Sequence, residues 1–147
     1  MRYFEDFPDG LEVDLGEVSF SEDEIIHFAR QFDPQPMHTD PDAARRSIYG
    51  GLIASGWHTV GAYMRLLVDA VVADSASVGS PGIDNLRWLK PVRPGDTLRA
   101  HFTVLDARES NSRPDWGIVR SRGEMTNQHG EVVMRLEAAN FFTRRRN

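Results

Sequence analysis

The segment Phe32–Asp33–Pro34–Gln35–Pro36–Met37–His38–Thr39–Asp40 sets a carboxylate and an imidazole five residues apart. Histidine titrates near neutrality and gives or takes a proton at working pH. An aspartate removed from water becomes a usable base when its pKa rises. Pro34 and Pro36 fix φ at two positions of the segment. Such stiffness suits an acid/base pair, because small errors of placement cost large factors in rate. The same residues also fit a structural reading, with Asp33 ending a helix and His38 bonding a backbone group. A metal site of Asp33, His38 and Asp40 is a third option, although Asp40 before Pro41 also reads as a helix N-cap.

Tyr49–Gly50–Gly51–Leu52 is the second candidate. Read as the start of a helix, it offers free N–H groups and partial positive charge. Glycine there admits close approach by a carbonyl. Those are the needs of an oxyanion hole for a thioester enolate; a plain flexible lead into the helix fits equally. Of the other histidines, His27 lies mid-helix, His101 in a strand and His129 at a turn tip. His58 reads as a core histidine, and Thr59 beside it can face the same cavity as the Asp33 loop.

Several elements must position these residues. Leu11–Val18 alternates loosely, as a first strand. Ser21–Glu24 forms a capping box, followed by Ile25, Phe28, Ala29 and Phe32 at helical spacing; Pro34 ends that helix. Phe32–Thr39 reads as a loop, and a short helix follows from Pro41. The longest helical pattern is Leu52–Ala73, apolar or small most of the way round, which predicts a buried helix of about 33 Å. Leu86–Leu89, Thr97–Ala107, Trp116–Thr126 and Glu131–Phe142 read as strands, with Asn127–Gly130 a hairpin tip. One buried helix followed by an antiparallel meander predicts an α+β fold whose sheet covers the helix.

Composition narrows the function further. The chain has 147 residues, the size of one domain, here 1–147. It has no cysteine, which removes disulfides and Cys-based zinc sites and fits a cytoplasmic protein. No apolar signal segment stands at the N-terminus, and charges interrupt the one long apolar run, so no membrane span is expected. A net charge of −5 with acids and bases interspersed argues against nucleic acid as a partner. Arg144–Arg145–Arg146 reads as a solvated tail, or less readily as help for a phosphate.

Residues Asp33 to Ala44 resemble the hydratase motif of the MaoC-like family, D-x-N-P-x-H-x-D-x-x-x-A. Gly51–Ser55 resembles the start of that family's central helix, and Leu86–Leu98 its strand-and-turn segment. The three come in the family's order and cover nearly the whole chain. The resemblance implies a hot-dog fold, a curved antiparallel sheet wrapped around one long central helix. It implies (R)-specific hydration of 2-enoyl thioesters or the reverse dehydration, without metal or redox cofactor. Asp33 and His38 would be the catalytic pair and Gly51 the oxyanion donor, with Gln35, Gly50 and Thr59 contacting substrate or the pair. Two positions depart from the pattern. Gln35 replaces the usual Asn, which would lengthen or remove a contact orienting the pair. Gly50 stands where the family often has His before the helix glycine.

Rival readings are a hot-dog thioesterase, disfavoured because Leu52–Met64 holds no acid, and a non-catalytic acyl-thioester binder. The expected partner is an acyl-CoA or acyl-carrier thioester, with Arg87, Lys90 and Arg93 as candidates for a phosphate-bearing arm. The expected assembly is a homodimer or larger. Tyr49, Trp57 and Tyr63 are bulky and either shorten the acyl pocket or belong to the core.

Overall fold

The computed structural model describes all residues, 1–147. After a short 3₁₀ turn come β1 (Glu12–Ser19), α1 (Glu22–Phe32), α2 (Pro36–Thr39), α3 (Pro41–Arg45) and α4 (Gly56–Leu67). A π-helical turn, Val68–Val72, extends α4; β2 (Ser77–Gly79), β3 (Ile83–Trp88), β4 (Thr97–Glu109), β5 (Trp116–Thr126) and β6 (Val132–Thr143) follow. All strands join one antiparallel sheet in the order β1-β4-β5-β6-β2, with β3 also on β6.

The alternation seen in the sequence sets which face is covered. In β4, Leu98, Ala100, Phe102 and Val104 are buried, while Arg99 and His101 between them are exposed. Residues of period two share a face, and this face packs on Tyr63, Leu67 and Val71 of the helical segment in one apolar cluster. The outer face carries ion pairs such as Arg99 with Glu17 and Arg135 with Glu124. No helix is long and apolar enough to cross a membrane.

Local signals work largely as read. Ser21 Oγ accepts from the Glu24 N–H at 3.1 Å, and Glu24 accepts in return from the Ser21 N–H. Asp40 Oδ1 accepts from the N–H groups of Asp42 and Ala43, capping α3.

Three expectations need correction. The central helix starts at Gly56, not Leu52. The Ile53 N–H donates to the Met37 carbonyl and the Ala54 N–H to the Val92 carbonyl, so this stretch is held extended. Ser55 then caps the helix by accepting from the Trp57 N–H. Second, the Asp33–His38 loop is shorter than expected, because Pro36–Thr39 closes one helical turn with proline at its first position. Third, the basic tail is not free: Arg144 pairs with Glu109 at 2.8 Å and Arg145 with Asp6 at 2.6 Å.

Candidate active site

Asp33 is the C-cap of α1, and its N–H donates to the Ala29 carbonyl at 2.8 Å. Pro34 forbids another helical turn, and Pro36 opens α2 at once. The single turn of α2 folds His38 back towards Asp33, leaving His38 Nε2 3.3 Å from Asp33 Oδ2. Both structural roles read from the sequence are therefore present together with the pair. Asp33 ends a helix, and His38 Nδ1 bonds a backbone group, the Ile53 carbonyl, at 2.7 Å.

That last bond fixes the ring. A carbonyl only accepts, so Nδ1 carries a hydrogen and Nε2 is the nitrogen turned to Asp33. His38 is only 5 % exposed.

Asp33 is fixed from both sides. Gln35 Nε2 donates to Oδ1 at 2.7 Å, and Ser55 Oγ donates to Oδ2 at 2.8 Å. The orienting contact at position 35 is thus kept with Gln, whose extra methylene still lets the amide reach Oδ1. Burial pushes the Asp33 carboxyl up. The hydrogen bonds from Gln35 and Ser55 and the charge of His38 outweigh it and hold the group below the usual aspartate value.

A cavity of about 510 Å³ opens onto the pair. Asp33, Gln35, His38 and Thr59 of the expected site line it, and so does Gly56. Gly50 and Gly51 do not. Gly50 has φ +67 and turns the chain after Ser47, whose carbonyl accepts its N–H. Gly51 lies beside the Arg93 guanidinium. The glycine at the helix start, where free N–H groups point outward, is Gly56. A Cβ there would fall 2.2 Å from the Trp88 ring, so this position admits no side chain without moving Trp88. The residue before the helix glycine is accordingly Ser55, not Gly50.

Ser55 and Gly56 are the site residues that the sequence reading missed. The available signal was a serine followed by glycine within the helical pattern, an N-cap signature that the long apolar run obscured.

The remaining candidates fall elsewhere. Asp40 is occupied by capping, and no three His, Cys, Asp or Glu side chains gather as a metal-binding group. Lys90 lines the cavity but pairs with Glu131 at 2.8 Å. Arg93 donates to the Tyr49 carbonyl at 2.6 Å, and Arg87 to its neighbour's carbonyl. His58 is half-buried rather than a satisfied core histidine: its ring stacks on Phe28 at 4.8 Å and packs on Phe20 at 4.7 Å, and its Nδ1 has no partner.

A family model for the MaoC like domain matches residues 9–121. The chain belongs to the MaoC-like family. A crystal structure of a MaoC-like dehydratase from Rhodospirillum rubrum superposes with a TM-score of 0.92 at 42% identity, covering 100% of both chains. An (R)-specific enoyl-CoA hydratase from the same organism is 31% identical over 109 residues, 71% of this chain and 70% of that protein. Protein MaoC of Klebsiella aerogenes is 33% identical over 103 residues, 69% of this chain but 30% of that longer protein. The fold of this MaoC-like chain is the hot-dog fold, as its neighbours among solved structures show.

Proposed function

We propose that this MaoC-like chain adds water to 2-enoyl thioesters, or removes it from 3-hydroxyacyl thioesters, with (R) specificity. The observation that carries the reading is the Asp33–His38 pair, 3.3 Å apart on the wall of the cavity, with His38 buried and its ring orientation fixed. The substrate is a thioester of CoA or of an acyl carrier.

The thioester oxygen accepts from the Gly56 N–H, which has no acceptor within the chain. A donor placed where negative charge develops is worth roughly 10²–10³-fold in rate. One water is held by both Asp33 Oδ2 and His38 Nε2. The Asp33 carboxylate takes a proton from this water as its oxygen bonds C3. The π electrons move to give an enolate held at Gly56. The proton passes from Asp33 to His38 Nε2 across their contact. When the enolate collapses, C2 takes that proton from His38 Nε2, which restores both groups. Dehydration is the same path reversed. The reaction as proposed calls for no metal or redox cofactor, so chelator leaves the rate unchanged.

The first half of the central helix carries no Asp or Glu, and the first acid on it, Asp69 in the π-helical extension, is exposed and paired with Arg65. This disfavours a hot-dog thioesterase with its carboxylate on that helix.

The test is steady-state hydration of a short 2-enoyl-CoA, followed by loss of enoyl-thioester absorbance. The proteins are wild type, Asp33→Asn, His38→Ala and the double variant. Each single change lowers turnover by roughly 10²–10⁴-fold. The double is little worse than either, because groups acting on one water are non-additive. Near-wild-type rates in either single variant would sink the mechanism; wild type that binds the thioester but never hydrates it makes the chain a binder.

A further inference from the structure

The cavity has an exposed mouth and a buried end. Trp57 and Trp88 at the mouth are 57 % and 46 % exposed, and their rings meet edge to face at 5.4 Å. At the other end His38, Thr59 and Val133 are buried. The reacting pair therefore lies near the deep end, and an acyl chain entering past the tryptophans has to continue inward beyond it.

The inward path runs between α4 and the sheet. Along α4, Gly56 and Thr59 line the cavity, and the next residue on that face is Tyr63, about 6 Å further on. Along β6, Val133 lines the cavity. Leu136, roughly 10 Å beyond it, pairs with Gly123 of β5. Tyr63 and Gly123 meet there. A Cβ on Gly123 would fall 2.4 Å from both Cζ and the hydroxyl oxygen of Tyr63. The phenol thus spans the whole gap from helix to strand, and β5 has no side chain at the one point where the ring arrives. Behind it the same helical face continues as packed core through Leu67 and Val71. Neither Tyr63 nor Gly123 lines the cavity.

We propose that Tyr63, seated on Gly123 one helical turn behind the lining residue Thr59, blocks extension of the cavity between α4 and the sheet and restricts this chain to short-chain 2-enoyl thioesters. The inference rests on the hydratase reading above. The lining along α4 ends at Thr59, beside the reacting pair, which leaves room for a few carbons only. A longer chain would have to displace a side chain that is 4 % exposed within a close-packed layer.

The experiment measures kcat/KM on 2-butenoyl-, 2-hexenoyl-, 2-octenoyl- and 2-decenoyl-CoA for wild type, Tyr63→Phe and Tyr63→Val. Wild type discriminates against the octenoyl substrate by at least about tenfold, the lower end of what one misfitting methylene costs in an apolar pocket. Tyr63→Phe keeps the ring and keeps the length limit. Tyr63→Val relaxes it by a similar factor, mainly through a lower KM for the long substrates. Should Tyr63→Val melt too low to assay, Tyr63→Leu retains more of the core volume and serves the same purpose. Equal wild-type rates on all four lengths overturn the proposal, and so does an unchanged length profile in the enlarged variants. If wild type hydrates none of them, the hydratase reading fails instead. Calorimetric binding of butanoyl-CoA against octanoyl-CoA then still decides the length limit.

Discussion

At the scale of single residues, Ser55 has two tasks. Its Oγ donates to Asp33 Oδ2 and accepts from the Trp57 N–H, so the hydroxyl that holds the carboxylate also caps α4. Losing an N-cap costs about 1 kcal/mol, and Ser55→Ala should therefore melt slightly lower. Its second effect is separable. Asp33 lies below the usual aspartate value partly because of this bond, so removing the bond raises the carboxyl. The mechanism needs a carboxylate. In Ser55→Ala the acid limb of kcat/KM against pH consequently moves to higher pH, and Ser55→Thr, which retains a hydroxyl, moves it back. A lowered melting point with an unmoved acid limb would leave Ser55 a helix cap and nothing more. The same depression of Asp33 favours folding above the ordinary carboxyl value, and that contribution is lost as pH falls through the lowered one. Asp33→Asn should accordingly flatten the stability profile at its acid end, as thermal melts across pH would show.

At the scale of elements, the site depends on how α1 is held against α4, since Asp33 ends one helix and Gly56 begins the other. His58 on α4 supplies part of that contact, stacking on Phe28 of α1. Burial pushes the His58 pKa below 6.5, while Glu24 opposes the shift. Its Nδ1 is buried without a partner. A histidine held neutral in the fold takes its proton first in the unfolded chain. Stability is therefore lost as pH drops from 6.5 towards the lower folded value. His58→Leu removes this dependence: its melting temperature should fall less than wild type's between neutral and mildly acid pH. Parallel decline of the two proteins would show that His58 is not the group responsible. A protonated His58 would also press on the α1–α4 contact, so activity in wild type should decline over the same range as stability.

At the scale of the whole molecule, the sheet ends on one side in β3, which pairs with β6 alone. Its other edge is open, and Ile83 and Trp88 on it are 48 % and 46 % exposed. Asn85 at φ +53 and the register shift after Asp84 bend the strand but do not cover it. An open edge with apolar side chains is a template for pairing. We expect two copies to meet along this side, beside the Trp57–Trp88 mouth of the cavity. Sedimentation equilibrium at micromolar concentration should give a dimer or larger, with Ile83→Lys shifting it towards monomer. A wild-type chain that stays monomeric would refute the arrangement.

The sequence by itself determined the candidate acid/base pair and most of the frame. Asp33 and His38 were legible because two prolines and two helix caps fix so short a segment locally. Strands β4 to β6 were legible because period-two alternation records which face is buried. Where the central helix begins was not legible: Leu52–Ala54 have helical character but spend their N–H groups on Met37 and Val92, partners far away in sequence. That long-range choice moved the helix start from Leu52 to Gly56 and brought Ser55 onto Asp33. Whether Tyr63 was core or pocket wall was equally undecided in the sequence. The structure buries it in the core with its ring over Gly123 of β5, a packing that belongs to two elements at once and to neither sequence segment alone.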